Sequence, residues 1–282
     1  MIKVIQPGFF TSIQDKGRFG YRSNGVPVSG AMDLYSSHFA NALLGNPDDC
    51  ATLEITMVGP TLQLCKPTTI VISGAFMNPK LNGKPIEMNT IITVKSNDIL
   101  SFGRVEKGLR CYLAIKEGFK SKVVFNSRSM YTNITSAVRL KKDDIVDYLA
   151  DNQVSPSFNA HVKFNDSVLE NDFLEVFKGP EFDKLSLEQK NAILNKELKV
   201  SKFNSRMAYQ LLPLVENYLK PILTAPVLPG TVQLTPLGQL IVLMRDCQTT
   251  GGYPRILQLT EQSINNLSQK STGSILKIRL KD

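Results

Sequence analysis

Short apolar segments rich in Val, Ile and Thr recur along the chain, each stopped by Gly, Pro, Asn or Asp. They include "TLQLC", "TTIVISG", "NTIITVKSNDILSFG", "RCYLAIKEG", "LEVFKG", "GTVQL", "QLIVLM" and "ILKIRL". β-branched runs punctuated in this way fit strands joined by tight connections and leave little room for long helices. Helical spacing shows in three places: "AMDLYSSHFANALLGN", with Leu34, Phe39, Leu43 and Leu44 near one face and Gly45 as a stop, "LSLEQKNAILNK", and "LTEQSINNLSQK". The fold expected is mainly β, with a few short helices that close barrel ends or support loops.

At 282 residues the chain exceeds the usual size of one domain. A faint internal repeat pairs "EITMVGPTLQL" with "LEVFKGPEFDKL" and "QDKGRFGY" with "FNSRMAY". The division expected is residues 1–155 and 156–282, with the join in "YLADNQVSPSFNAHVKFNDS" and with strands free to cross between the halves.

A content of 42% hydrophobic and 21% charged residues describes an ordinary globular protein. No apolar stretch approaches the ~20 residues that span a bilayer, so no membrane is expected as a partner. The first residues, "MIKVIQPGFFTSIQDKGRFG", lack a secretory h-region, which places the protein in the cytoplasm as an expectation. Cys50, Cys65, Cys111 and Cys247 have no C-x-x-C spacing, and the two histidines, His38 and His161, form no metal array, so no metal site is expected. The net charge of +8 is spread among mixed-sign runs such as "RLKKDD", and no nucleic-acid module accompanies it. Nucleic acid is therefore not an expected partner.

Two stretches carry more polar chemistry than their turns require. "QPGFFTSIQDKGRFGYRSNGVPVSGAMD" interleaves glycines with Gln14, Asp15, Arg18, Ser29, Gly30 and Asp33. Arg18 suits a carboxylate or phosphate, Gln14 and Ser29 suit amide or carboxyl groups, and Ser29 or Asp33 suits a helix cap. Shaped turns and an Arg18 pair with Asp15 or Asp33 explain the same residues without a ligand. The second stretch, "RDCQTTGGYP", follows the run "QLIVLM" and offers Asp246, Gln248, Thr249, Thr250, the amides of Gly251 and Gly252, and the Tyr253 ring. That set fits a small ligand with an amide and a carboxylate, and it also fits a decorated hairpin. The chain has no G-x-x-x-x-G-K-[ST] loop to cradle a triphosphate.

Together with "ANALLGN", "LEITMVGP" and "PGTVQLTPLGQLIVLMRDCQTTGGYP", the first stretch resembles the signature blocks of the 5-oxoprolinase C-subunit family, known too as the allophanate hydrolase second-subunit family or the biotin-dependent carboxyltransferase domain family. The likeness runs nearly end to end. It implies two cyclophilin-like β-barrel domains. It also implies work with subunits B and A in an ATP-dependent opening of 5-oxo-L-proline to L-glutamate, in which this chain is a hydrolase component inactive alone. Alternatives within the resemblance are a carboxyltransferase component of a urea or related biotin-dependent carboxylase, and a non-catalytic partner that regulates a kinase inhibitor. ATP and Mg²⁺ would serve the complex and biotin the carboxylase reading, with none held by this chain alone. Against the carboxylase reading, the chain contains no carrier-type "MKM".

The sequence departs from the family pattern at "NSRMAY", where Ser205 and Ala208 replace an acidic residue and a glycine, and at "LAIKEG" and "FNSRSM". Arg128, Arg206 and Tyr209 keep the pattern. On the resemblance, Asp15, Arg18 and Asp246 carry the chemistry. Gln14, Ser29, Gly30, Asp33, Arg128, Arg206, Gln248, Thr249, Thr250, Gly251, Gly252 and Tyr253 hold an amide substrate. Both stretches are expected to face one cleft, and Arg18→Ala is expected to lower turnover with little effect on folding.

Overall fold

The computed structural model describes residues 1–151 and 162–281. The expected join between residues 155 and 156, and His161 with it, lie outside the described residues. Two compact units form. The first comprises Met1–Arg18 and Ser29–Leu169; the second comprises Phe19–Val28 and Glu170–Asp282. The chain thus lends a short excursion from its first signature stretch to the second unit and then returns.

In the first unit one sheet runs in the order Ile145–Val146, Ile2–Gln6, Thr61–Leu64, Asp98–Ser101, Lys80–Leu81, Lys84–Pro85. A second sheet runs Phe10–Gln14, Thr52–Thr56, Lys107–Ile115, Thr68–Phe76, Ile92–Val94. Alternation along these strands sends Ile2, Val4, Leu53, Ile55, Leu62, Leu64, Ile70, Ile72, Cys111 and Leu113 into one core. The opposite face of the second sheet turns Val71 and Ala114 toward Ala40 of the helix Leu34–Leu43 and toward Leu44, its C-cap.

This helix begins where the sequence places it. Asp33 is the N-cap, its carboxylate accepting the Ser36 N–H at 3.0 Å, a contact worth ~1 kcal/mol of helix stability. At the other end Lys116 Nζ donates to the Leu44 carbonyl at 2.9 Å, where a cation suits the helix dipole. The departure "LAIKEG" therefore supplies a helix-end contact.

The second unit closes as a seven-stranded barrel: Phe173–Lys178, Arg255–Leu259, Thr231–Leu234, Leu240–Leu243, Ala208–Leu212, Leu198–Asn204, Ile275–Leu280. Closure comes from parallel pairing of Phe173–Lys178 with Ile275–Leu280, with Leu174 opposite Ile278. The other two predicted helices appear as Leu187–Leu194 and Glu261–Ser268, capped by Ser186 and Thr260. Ser186 forms a reciprocal box with Gln189, as its S-x-x-Q spacing dictates. No helix among the described residues is long and apolar enough to cross a membrane.

Candidate functional site

Asp15 stands at the end of Phe10–Gln14, and its buried carboxylate is filled by donors. Oδ1 accepts from the Gly17 N–H (2.8 Å), the Ser127 hydroxyl (2.7 Å) and the Ser129 hydroxyl (2.6 Å), and Oδ2 accepts from the Arg128 N–H. A carboxylate so occupied pins the loop of residues 127–129 to the first strands. Arg18 is wholly buried and donates to the Ser129 carbonyl, so it belongs to the same clasp. Its burial corrects the expectation that truncating Arg18 would spare folding, because the change would empty a core position. Arg128 fixes the clasp's far side, its Nη1 donating to the Ser121 carbonyl. Gln14 is also buried, and its amide donates to Ser12 Oγ at 3.0 Å.

Ser29 and Gly30 pack back against this clasp. Gly30 has φ of 90°, and a Cβ there would fall 2.9 Å from the Lys16 carbonyl oxygen, so the position admits only glycine. Ser29 has φ of 56°, a conformation that a non-glycine residue holds at some cost, and is 1% exposed. Its Oγ has no hydrogen-bond partner among the described residues. A strained residue presenting an unsatisfied hydroxyl is a strong mark of a ligand position in this unit.

Beneath residues 29–33 lies a network that sequence reasoning did not single out. Glu54 Oε2 accepts from the Met32 N–H at 2.7 Å and from the Tyr112 hydroxyl at 2.8 Å, and that hydroxyl accepts from the Asp33 N–H at 2.8 Å. Arg110 stands 3.8 Å from Glu54 Oε1. Burial, followed by the negative charge of Glu54, drives the Tyr112 phenol far above its ordinary pKa, so it stays a donor. The signal was a glutamate within "LEIT", flanked on its strand by the buried apolar Leu53 and Ile55. Asp33 is occupied as a cap.

In the second unit the last signature block is held by Arg22, from the excursion Phe19–Val28. Arg22 Nη2 donates to the Val227 carbonyl and to the Thr249 carbonyl, the latter at 3.3 Å. Its guanidinium also lies against Cys247. Burial raises that thiol to about 11, and the nearby Arg22 opposes the rise, so Cys247 remains a protonated packing residue at neutral pH. Arg22 Nη1, and Gln248 Oε1 on the same loop as Cys247, are each buried with no hydrogen-bond partner among the described residues. One is a donor, the other an acceptor. Arg22 was not foreseen, because only the fold sets it beside a loop more than two hundred residues later.

The rest of the block is strand and turn. Thr250–Gly251 pairs with Ala225–Pro226, and the Gly252 carbonyl accepts from the Ile222 N–H at 3.0 Å. A Cβ at Gly251 would meet Gln233 Nε2 at 2.5 Å, so a side chain there would displace that amide. Thr250 is exposed, and Tyr253 is 40% exposed. Asp246 faces Arg206 as a two-pronged ion pair, Nε to Oδ2 at 2.8 Å and Nη2 to Oδ1 at 3.1 Å. This pair, with the Asp246 N–H donating to the Arg206 carbonyl at 3.0 Å, ties the "NSRMAY" turn to the loop. Asp246 is thereby engaged in structure. Among the described residues the geometry brings Cys247 and Thr249 together with Arg22, and Asp15, Arg18 and Arg128 together with Ser127 and Ser129.

A family model described as carboxyltransferase domain, subdomain A and B, matches residues 24–280. The chain belongs to this carboxyltransferase domain family. Its relatives include the C subunit of 5-oxoprolinase from Escherichia coli (strain K12), 30% identical over an alignment of 280 positions that covers 97% of this chain and 89% of that protein. The carboxyltransferase domain also superimposes on the crystal structure of TTHA0988 with a TM-score of 0.87 at 25% identity, covering 99% of this chain and 55% of the other. The chain thus spans about half the length of that structural relative. It matches the K. lactis urea amidolyase structure with a TM-score of 0.86 at 27% identity, over 98% of this chain and 18% of that one.

Proposed function

We propose that this carboxyltransferase-domain protein is the C-type component of an ATP-dependent 5-oxoprolinase, opening 5-oxo-L-proline to L-glutamate with subunits B and A in the cytoplasm. The observation that carries the reading is the nearly end-to-end likeness to the C subunit of a 5-oxoprolinase, with both signature blocks intact. It is supported by one donor and one acceptor that are buried without a partner among the described residues, Arg22 Nη1 on the excursion Phe19–Val28 and Gln248 Oε1 on the last block. A lactam presents a C=O and an N–H on the same edge, and such a pair is complementary to it.

A lactam is a poor electrophile. Transfer of the γ-phosphoryl group of ATP to the amide oxygen makes its carbon attackable; water then adds there, the C–N bond breaks as nitrogen takes a proton to leave an acyl phosphate, and a second water hydrolyses that to phosphate and the new carboxylate of glutamate. This chain's part is to hold the amide, whose N–H donates to Gln248 Oε1, and to meet negative charge as it develops on oxygen, a task for the donors of Arg22 and the Gly252 amide. Thr249, Thr250 and Tyr253 frame that ligand. In the first unit the Ser29 hydroxyl is likewise open to a hydrogen-bonding ligand. Asp15, Arg18, Arg128, Asp246 and Arg206 act as positioning residues that fix the loops. The carboxylates of Asp15 and Asp246 do not fit Mg²⁺, being filled by N–H and O–H donors. Having no phosphate-cradling loop, the chain leaves the ATP site to its partners and is inactive alone.

A second reading, a carboxyltransferase component of a urea carboxylase, draws support from the superposition on urea amidolyase. The ureido ring of biotin offers the same C=O and N–H edge to Arg22 and Gln248, and biotin would carry the carboxyl group to be transferred. The test is reconstitution with A-like and B-like partner proteins. ATP-dependent release of glutamate from 5-oxoproline that stops when this chain is omitted supports the first reading; release that continues without it overturns that reading.

A further inference from the structure

A cleft of about 250 Å³ opens in the second unit, between the turn Phe182–Lys184 and residues 219–222, with Pro254 at its base. Its walls include Glu181, Lys184, Leu219, Lys220 and Ile222. The turn belongs to "KGPEFDKL", the second copy of the internal repeat, which the proposed ring-opening chemistry leaves unused.

The frame of the cleft is fixed before any ligand arrives. Ile222 N–H donates to the Gly252 carbonyl at 3.0 Å, Leu219 N–H to Asn217 Oδ1 at 2.8 Å, and Asn217 Nδ2 to the Thr235 carbonyl at 2.8 Å. Glu181 is fully engaged: Oε2 accepts from the Arg255 N–H (2.8 Å) and Nε (3.2 Å), and Oε1 accepts from Nη2 (3.1 Å). Its negative charge is therefore matched chiefly by Arg255, with Lys184 a weaker and more distant attraction. The ammonium groups of Lys184 and Lys220 have no hydrogen bond or ion pair among the described residues. Two exposed cations thus border a floor made of Leu219, Ile222 and Pro254.

A rigid hollow with surplus positive charge at its rim and apolar side chains at its floor is complementary to an anion that has an apolar body. The volume lies below the ~300–1,000 Å³ of sites for drug-sized ligands, so the fitting molecule is small. We propose that this cleft binds a small organic anion, its carboxylate or phosphate group between Lys184 and Lys220 and its apolar body on Leu219 and Ile222. The site stands apart from the ring-opening reading and survives if that reading fails.

The test titrates the full chain, ¹⁵N-labelled, with benzoate, phenyl phosphate and inorganic phosphate while amide shifts are followed. Saturable shifts from at least one aromatic probe are expected at residues 182–184 and 219–222. Benzoate and phenyl phosphate tell which head group is preferred, and inorganic phosphate is expected to bind at least about threefold more weakly than phenyl phosphate, since it cannot use the floor. Lys184→Gln and Lys220→Gln are each expected to weaken binding by about three- to tenfold, the scale of a lost charge-assisted contact at an exposed site. Both lysines are exposed, and unchanged shifts elsewhere in the spectrum report an intact fold. Absence of saturable shifts with both aromatic probes, equal affinity for inorganic and phenyl phosphate, or unaltered binding in the double variant would overturn the proposal.

Discussion

Asp246→Ala separates a structural carboxylate from a catalytic one. The ion pair it breaks has two short prongs, and the side chains of Arg206 and Asp246 are only 12% and 8% exposed. Removing one partner of a fully buried pair costs ~3–5 kcal/mol. Here some solvent reaches the guanidinium, and the Asp246 N–H bond to the Arg206 carbonyl survives the change, so the expected cost is ~2–3 kcal/mol. For a chain of this size that lowers the melting temperature by roughly 4–12 °C. Calorimetry reads the shift, and amide exchange at Leu240–Leu243 and Ala208–Leu212 assigns it to the barrel. Adding Arg206→Ala to Asp246→Ala should cost less than the sum of the single changes by ~1–2 kcal/mol, the coupling of a contacting pair. The reasoning is refuted if Asp246→Ala melts with the wild type while the assembled complex loses nearly all turnover, because the carboxylate would then act on substrate.

Three other outcomes follow from the same geometry. Arg22→Gln should lower kcat/KM of the assembled complex by roughly ten- to a hundredfold, the value of a lost charge-assisted hydrogen bond, whereas kinetics equal to wild type would remove Arg22 from the site. Ser29→Ala deletes a buried hydroxyl without a partner, so urea denaturation should find the variant as stable as wild type or up to ~1 kcal/mol more stable while turnover falls; a clear loss of stability would mean the hydroxyl is already satisfied. Burial pushes the Glu181 carboxyl up, but hydrogen bonds from Arg255 outweigh it and hold the group below its usual 4.5. The stability this gives is fully present above the unfolded value and is lost as pH falls through the lowered folded value. Glu181→Gln should therefore destabilise the protein at pH 7 and approach wild type as pH falls through the lowered folded value, and a gap that widens toward acid would contradict the pairing.

The elements were legible wherever the signal was local. Strand alternation, the Asp33 cap and the Ser186–Gln189 box each depend on residues a few positions apart, and all three helices appeared where their periodicity put them. What the side chains of the two polar stretches do was not legible, because their partners are remote. Asp15 finds Ser127 and Ser129 more than a hundred residues away, and Arg22 finds Thr249 across most of the chain. From the sequence Asp15, Arg18 and Asp246 offered the most reactive groups, and the fold uses each of them to hold loops. The atoms without a partner among the described residues include less conspicuous ones: the Ser29 hydroxyl, Arg22 Nη1 and Gln248 Oε1.

The central claim is tested most directly by asking which substrate drives ATP hydrolysis in the complex assembled from this chain and its B-like and A-like partners. The account predicts that 5-oxo-L-proline stimulates hydrolysis, with one glutamate formed per ATP, and that urea with bicarbonate and a biotinylated carrier does not. Stimulation by urea and bicarbonate, with 5-oxo-L-proline inert, would contradict it and assign the open donor and acceptor of Arg22 and Gln248 to a carboxyltransferase reaction.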